Sequence, residues 1–427
     1  MDGFSSPDAL ALHQKYGNVV RIAPDEISVV DLAALKSLYG HGQKVVKSKW
    51  YDAWIIPKMT VSFFAARDIK LHRHLRSRVS AAYSMTTILS MEPLIQDVAQ
   101  NMWQKMGEFA DEAKPVPMHD WANFFAFDVS IHDGFWVMAN MGNMPLQMFW
   151  FNNAVAQWLV KRFGGKRLSA FNLFLDWLDA RVAERYRNGL GGKRRDLLQH
   201  FIEAKDMTGN PVKKEDVMIE GVNILGAGAD TTTIGILATL GALLQHPESI
   251  SRLQAELDEA YAKLGIDGRS DGLPYLEAAK LPFLSAVIKE STRLHPSIQY
   301  QLPRVVPKGG LLVGPHQIPE GMVCGISPAT MNRSKDIFGP DADEWKPERW
   351  IPKDADDEER IKTWNSHLTT FGMGSRGWNV VAIRKFTEES LYLLVLRPSC
   401  PPQRRPSERI RQVESTVLLV KELLNNI

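Results

Sequence analysis

The chain has 427 residues, of which 44% are hydrophobic and 23% are charged, values that allow a large buried core. Its formal net charge of +2 gives no basis for nucleic acid as a partner, and its two cysteines are too few for a disulfide framework or a zinc cluster. Residues 1–17 contain no basic segment followed by an apolar one, so they predict no signal peptide.

The predicted elements begin with a short β-hairpin over residues 18–31, where two β-rich runs flank a turn-like Pro-Asp pair. From about residue 68 to residue 264 the apolar residues follow a helical spacing, with a break at the glycine- and charge-rich segment 188–196. Individual helices are expected at roughly 215–245, at 247–264 and from about 276 to 294. The centre of the chain is therefore predicted to be helical.

The chain becomes β-like between residues 302 and 325, where short apolar runs alternate with turns rich in proline and glycine. The charged segment 352–360 is predicted to be a solvated loop. These elements indicate a fold that is mainly α with small β-sheets, in which helices pack on helices without regular βαβ alternation.

Only residues 221–244 approach the length of a membrane-spanning helix. They include Asn223 and Asp230, and an ionised group in the middle of a lipid-facing helix is costly. We therefore expect a core helix here, and a chain that is soluble or peripheral to a membrane.

A run of small residues followed by an acid and two hydroxyls, AGADTT, occupies residues 227–232 of this predicted helix. A helical glycine costs about 1 kcal/mol relative to alanine, and a buried aspartate must be paired or functional. Small residues beside Asp230 and Thr231 would let the helix approach a flat ligand and pass protons to it. The alternative is a core helix that its threonines bend, with Asp230 capped nearby.

Two charged motifs are separated by a long stretch of sequence. Glu290 and Arg293 are three positions apart, so they can meet on one helix face, and alone they would be an ordinary surface pair. In the later segment DEWKPERW, Arg349 could reach that pair if it were buried. Together the motifs favour a buried ionic cluster.

A basic segment, HRHLRSRVS, places His72 and Arg76 one helical turn apart, where they could grip an anionic group. The alternative is a solvated basic face. His72 and His74 would point apart on a helix, so they do not form a metal-binding pair.

The segment FGMGSRG contains Gly372, Gly374 and Gly377 in the pattern G-x-G-x-x-G. That pattern allows the hypothesis of a nucleotide-binding enzyme, in which the loop would hold phosphates. The segment before the loop is a poor parallel strand and no βαβ unit follows, so the nucleotide hypothesis lacks its structural context.

Taken in chain order, H-x-x-x-R, A-G-A-D-T-T, E-x-x-R, P-E-R-W and F-G-M-G-S-R resemble the haem-thiolate monooxygenases of the cytochrome P-450 family, fungal microsomal type. The likeness covers the chain to about Phe386. It implies one large domain over residues 1–386, in which a β-rich part to about 60 and a helical core to about 300 precede the β and haem-loop region. The chain begins near the family's first β-segment and ends in an atypical tail, 387–427, so by resemblance the fold is expected to be N-terminally truncated and C-terminally aberrant.

The resemblance also implies residue roles. Asp230 and Thr231 match the pair that relays protons to iron-bound dioxygen, and Ala227 and Gly228 let their helix lie over the macrocycle. The structural triad that supports the haem loop is Glu290, Arg293 and Arg349. The other residues implied to bind the cofactor are His72, Arg76, Arg304, Phe371, Gly374 and Arg376.

The family's iron-ligating cysteine stands two residues after the position of Arg376, and its thiolate favours O–O cleavage. Here Trp378 occupies that position, and an indole N–H only donates, so no metal ligand is predicted in the loop. Cys400, in a proline-rich context, is the alternative ligand, and Cys324 is expected to be a buried core thiol.

By resemblance the chain is an oxidoreductase that uses b-type haem, dioxygen and electrons from an NADPH-dependent reductase. It would oxidise a small lipophilic metabolite, in secondary metabolism, although the missing cysteine predicts little thiolate-type activity. The alternatives are a degenerate, non-catalytic member or small-molecule binding protein, and the nucleotide-binding enzyme. Relatives of this type are anchored to the endoplasmic reticulum, whereas this chain is expected to be cytoplasmic or peripheral.

Overall fold

The computed structural model describes most of the chain up to the first residues of the glycine-rich loop. The described residues are 6–56, 59–82, 84–112, 114–126, 165–190, 196–266 and 272–374. Arg376, Trp378, Cys400 and the predicted tail lie outside the described residues.

Helices make up most of the described structure. The longer ones are α1 (Ser6–Tyr16), α2 (Leu32–Tyr39), α3 (Ile69–Val79), α4 (Met85–Asp111), α5 (Met118–Ala126), α6 (Gly165–Asn188), α7 (Leu197–Ile202), α8 (Lys214–Gln245), α9 (Pro247–Leu264), α11 (Pro282–Leu294) and α14 (Ala355–His367). The single-turn helices are α10 (Tyr275–Ala278), α12 (Pro328–Met331) and α13 (Lys335–Phe338), and 3₁₀ helices span Lys49–Trp54 and Pro347–Trp350.

The strands form two small sheets, and the five-stranded sheet joins N-terminal strands to strands that follow α11. The strands are β1 (Val19–Ala23), β2 (Glu26–Val29), β3 (Val46–Lys47), β4 (Arg304–Val305), β5 (Leu311–Val313), β6 (His316–Ile318) and β7 (Val323–Gly325). The five-stranded sheet has the order β1-β2-β7-β4-β3, and β5 pairs with β6 in a second sheet. Strands β1 and β2 form the predicted hairpin, and β2 pairs with β7 in parallel, which brings the N-terminal strands beside residues 304–325.

The core lies on both sides of α8. Apolar side chains of α8 pack with those of α4, α5, α9 and α11 on one side and with those of α3, α6 and α7 on the other. Within the described part of the chain, α8 is the one helix that is long and apolar enough to span a membrane, and half of its most apolar window is buried in the protein. This packing agrees with the predicted core helix.

The structure corrects the prediction for the charged segment 352–360. Residues 355–360 are not a loop, because α14 begins at Ala355, although nearly all of the segment is solvent-exposed as predicted. The side chain of Asp354 accepts a hydrogen bond from the backbone N–H of Asp357 (2.8 Å) and caps the helix. Acidic residues in the first turn also interact favourably with the positive end of the helix dipole.

The helix predicted from about 276 to 294 is divided in two. Residues 279–281 separate α10 from α11, and α11 begins with Pro282, whose missing N–H is tolerated in a first turn. The next two backbone N–H groups, of Phe283 and Leu284, each donate to the Glu256 carboxylate at 2.8 Å. A side chain of α9 therefore caps α11.

Candidate haem site

A buried ionic cluster lies at the end of α11. The carboxylate of Glu290 accepts two hydrogen bonds from the Arg293 guanidinium at 2.8 Å and one from Arg349 Nε at 3.2 Å. It also accepts hydrogen bonds from Trp350 Nε1 (2.9 Å) and the Lys346 backbone N–H (3.1 Å). The exposed fraction of the Glu290 and Arg293 side chains is 0%, so both charges depend on these partners.

The two arginines also tie α11 to the segment that follows α12. Arg293 Nη1 donates to the carbonyls of Asn332 (2.7 Å) and Ala342 (2.6 Å). Arg349 donates to the carboxylate of Asp341 (3.0 Å) and to its carbonyl (2.9 Å). The cluster therefore fixes the backbone between residues 332 and 350 against α11.

Asn332, which no sequence motif predicted, connects this cluster to the glycine-rich loop. Its side-chain oxygen accepts hydrogen bonds from the backbone N–H and the hydroxyl of Thr369, both at 3.0 Å. Its amide nitrogen donates to Thr370 Oγ1 (3.0 Å) and to the Arg293 carbonyl (3.2 Å). A single asparagine belongs to no motif, and its partners lie about forty residues away, so the sequence carries no signal for it.

The described part of the glycine-rich loop turns sharply. Gly372 has φ of 75° and Gly374 has φ of 72°, a left-handed conformation that favours glycine. The Gly372 N–H donates to the Thr369 carbonyl at 2.8 Å. A Cβ added at Gly374 would overlap the carbonyl of Tyr39, so the backbone of the loop approaches the end of α2 closely. Phe371 is half-buried just before this turn.

The AGADTT run lies in the middle of α8, where Asp230 and Thr231 are half-buried and Thr232 is buried. The Ser297 hydroxyl donates to the Thr231 carbonyl at 2.7 Å, which anchors α8 to the segment after α11. A Cβ added at Gly228 would meet no atom of the described residues within 4 Å, so these residues leave the helix surface open there. Ala227 belongs to the same turn of α8.

On α3, His72 is buried and Arg76 is half-buried one turn later. Burial lowers the pKa of the Arg76 guanidinium below its usual range. A desolvated guanidinium binds an anion more strongly than a solvated one. The environment of Arg76 thus suits an anionic group of a ligand.

The neighbouring Arg78 has a different role, because it pairs with two carboxylates of α8. Its Nη1 lies 3.2 Å from Asp216 Oδ1 and its Nη2 lies 3.1 Å from Glu220 Oε1. Burial raises the pKa of Glu220 to about 7, while Arg78 and the Asn223 amide oppose the shift and Asp216 adds to it. The pair joins α3 to α8.

This buried carboxyl group predicts a pH-dependent stability. The folded chain keeps the Glu220 proton from about pH 4.5 to 7, where the unfolded chain has lost it, so the free energy of unfolding falls as the pH rises through that window. The stabilisation from protonated Glu220 is about 3 kcal/mol, and it is fully present below the pKa of 4.5 that the group has in the unfolded chain. We expect Glu220→Gln to remove this loss, measured by urea denaturation between pH 5 and 8. The exposed Glu215→Gln on the same helix is the control, and an unchanged pH profile in Glu220→Gln would contradict the assignment.

Arg304 is a buried cation on β4. Its exposed fraction is 1%, and its Nη1 donates to the Tyr51 hydroxyl (2.7 Å) and to the Leu302 carbonyl (3.0 Å). Its Nε is buried and has no hydrogen-bond partner among the described residues, and the same holds for Trp54 Nε1. A buried donor without a partner is costly, so these atoms indicate a place for an acceptor outside the described protein atoms.

The described residues fit haem in two respects. An acceptor for the orphaned Nε of Arg304 is what a haem propionate would supply, since arginine pairs well with carboxylates. Open space beside Gly228 lets a flat ring approach α8. Neither of these two features provides an axial ligand for the iron. Within the described residues no group of three or more His, Cys, Asp or Glu side chains could hold a metal ion.

Cys324 does not provide a thiolate. It lies on β7 directly opposite Arg304 of β4, with an exposed fraction of 0%. Burial raises the pKa of its thiol to about 12, so the sulfur stays protonated at neutral pH. It is the buried core thiol that was predicted.

Comparison with known proteins gives matches over most of the chain. The cytochrome P-450 family model matches residues 8–377, so the match ends directly before Trp378. A cytochrome P-450 monooxygenase of Aspergillus terreus is 34% identical over 404 residues, which cover 86% of this chain and 79% of the relative. Cytochrome P-450 monooxygenase cicH of Emericella nidulans is 33% identical over 400 residues, which cover 86% of this chain and 77% of the relative.

A third relative, cytochrome P-450 monooxygenase gsfF of Penicillium aethiopicum, is 29% identical over 395 residues, which cover 86% of this chain and 77% of the relative. The mainly helical fold with small sheets agrees with the predicted architecture. Family membership brings with it a haem cofactor and a redox partner in general. The chain belongs to the cytochrome P-450 family of haem-dependent monooxygenases.

Proposed function

We propose that this chain binds b-type haem through Arg304 and Arg76 and that its framework serves the oxidation of a small lipophilic metabolite. The observation that carries the proposal is the buried Arg304 guanidinium, whose Nε is left for an acceptor outside the described residues. Its fixed fork of donors suits a propionate carboxylate. His72, and Arg376 outside the described residues, complete the proposed set of propionate partners.

The backbone around the proposed haem is supplied by two glycine-containing segments. Ala227 and Gly228 would allow α8 to lie against one face of the ring, which the open space beside Gly228 supports. Phe371 and Gly374 would support the other face from the loop. The left-handed φ of Gly374 keeps that loop close to α2.

Bound haem would supply the iron at which dioxygen is activated. The contribution that we assign to the chain is proton delivery on α8. The Asp230 carboxyl group, half-buried, exchanges a proton with solvent, and the Thr231 hydroxyl passes one onward at Oγ1. The hydrogen bond from Ser297 to the Thr231 carbonyl holds this turn of the helix in place.

We further propose that the chain has little or no thiolate-type activity. Trp378 stands where the family's cysteine is expected. The indole N–H of tryptophan only donates hydrogen bonds, so it cannot replace an anionic sulfur ligand. The thiolate is the group that favours O–O cleavage in this family. The chain would therefore bind haem and still lack thiolate chemistry.

We also propose an NADPH-dependent reductase as electron donor, a lipophilic substrate of secondary metabolism and a location in the cytoplasm or at a membrane surface. Membership of a family whose members use a redox partner supports the first of these.

A haem titration tests the proposal. Purified protein, freed of haem, is titrated with ferric haem while the Soret absorbance is recorded. We expect saturable binding of one haem per chain. Absence of saturable binding would overturn the proposal, and binding of NAD or ATP in its place would favour the nucleotide hypothesis for the glycine-rich loop.

A second candidate is a non-catalytic member of the family that keeps the pocket as a binding site. Trp378 favours it, because a binding protein does not need the thiolate. The transcript across codons 376–390 separates the two candidates. A reading frame or splice junction that restores a cysteine there favours the monooxygenase, whereas its absence from every transcript favours the binding protein.

A further inference from the structure

The side chain of Asn332 uses its full hydrogen-bonding capacity on two neighbouring segments. A primary amide has two donors and two acceptor lone pairs. The oxygen accepts from the N–H and the hydroxyl of Thr369, and the nitrogen donates to Thr370 Oγ1 and to the Arg293 carbonyl. The exposed fraction of Asn332 is 0%, so water does not substitute for these partners.

The partners of Asn332 belong to two parts of the chain that the amide joins. Arg293 stands near the end of α11, inside the ionic cluster with Glu290. Thr369 and Thr370 directly precede Phe371 and the turn at Gly372. The Thr370 hydroxyl also donates to the carbonyl of Thr292 at 3.1 Å, which places the same segment on the same end of α11.

The backbone of Asn332 strengthens the connection. Its carbonyl accepts from Arg293 Nη1 at 2.7 Å, so the residue contacts Arg293 in both directions. Because the position of Asn332 is fixed by the buried arginine, the position of Thr369 is fixed in turn. The Gly372 N–H then bonds to the Thr369 carbonyl and begins the loop turn.

We propose that Asn332 is the positioning residue that transmits the placement of the Glu290–Arg293 cluster to the haem loop. The proposal rests on the proposed function, because the loop is held in place for haem. The amide fixes residues 369–371 on α11 before any ligand binds. Asn332 touches no reacting atom and acts only through Thr369 and Thr370.

The chemistry of an amide is required at this position. An aspartate of the same shape has two acceptor oxygens and no donor when ionised, so it keeps the Thr369 contacts and loses those to Thr370 and the Arg293 carbonyl. It also places a second buried charge near Glu290. Asn332→Asp therefore changes the hydrogen-bonding pattern while it keeps the volume of the side chain.

The experiment compares Asn332→Asp and the milder Thr370→Val with the wild-type chain. The control for Asn332→Asp is Asn365→Asp, because the exposed Asn365 side chain accepts a hydrogen bond from Lys289 Nζ (2.9 Å). The control for Thr370→Val is Thr363→Val, because the exposed Thr363 hydroxyl donates to the Glu359 carbonyl (3.1 Å). Hydrogen–deuterium exchange of residues 369–374 is measured without haem, and haem affinity is measured by Soret titration.

We expect the variants of Asn332 and Thr370 to exchange at residues 369–374 about tenfold faster than their controls, with α8 and α9 unchanged, and to bind haem about tenfold more weakly. Unchanged local exchange in both variants would overturn the proposal, as would faster exchange throughout the domain. A wild-type chain that binds no haem would overturn the proposed function alone, and the exchange of residues 369–374 would still decide the role of Asn332.

Discussion

Replacing Glu290 with alanine is expected to lower the free energy of unfolding by about 3–5 kcal/mol. The change removes the carboxylate that both Arg293 and Arg349 bind, and leaves two buried guanidinium groups without their common counter-ion. Trp350 Nε1 and the Lys346 N–H lose their acceptor as well. Urea denaturation followed by tryptophan fluorescence measures the effect.

The chain offers a matched control for this substitution. Glu277 and Lys280 form an ion pair with the same three-residue spacing (2.7 Å), but their side chains are 37% and 67% exposed. Glu277→Ala is therefore expected to change the free energy of unfolding by no more than about 1 kcal/mol. Equal losses in the two variants would contradict the view that burial gives the Glu290 cluster its importance.

Replacing Arg304 with methionine is expected to weaken haem binding about tenfold to a hundredfold, the effect of losing a hydrogen bond to a charged group. The same change should leave the haem-free protein as stable or more stable. No carboxylate of the described residues pairs with Arg304, and an apolar side chain of similar volume removes a buried charge and an orphaned Nε. Haem titration and urea denaturation measure the two effects.

Opposite effects on stability and haem affinity distinguish a ligand-binding arginine from a structural one. Arg67→Met is the control, because Arg67 pairs with Asp52 (2.9 Å) on the 3₁₀ helix that contains Tyr51, and its side chain is 32% exposed. Arg67→Met should leave haem affinity unchanged. An Arg304→Met protein that loses stability and keeps its haem affinity would assign Arg304 a purely structural role.

Much of the fold could be predicted because local signals agree with tertiary packing. The hairpin at 18–31 has β-rich runs around a turn, and α8 and α9 have uninterrupted apolar spacing. The errors arose where capping outweighed composition. The charged segment 352–360 contains Asp354, which caps α14, and acidic residues in the first turn that favour the same helix. Pro282 begins α11, whereas apolar spacing alone had placed the start of that helix earlier in the chain.

The candidate site was predicted from motifs, so only residues that belong to motifs could be found. Glu290, Arg293 and Arg349 meet in one cluster. Asn332 and the orphaned Nε of Arg304 escaped because their significance depends on partners, or the lack of them, in three dimensions. Such residues have no sequence signal of their own.

Trp378 stands where the family's iron-ligating cysteine is expected, so we predict that haem in this chain lacks a thiolate ligand. The reduced, carbon monoxide-bound absorption spectrum of the haem-loaded protein tests it directly, because the position of the Soret band reports the axial ligand. We predict a band at the position of haem proteins without thiolate ligation. A full band at the red-shifted position of thiolate-ligated haem would contradict the account, since it requires a cysteine sulfur on the iron.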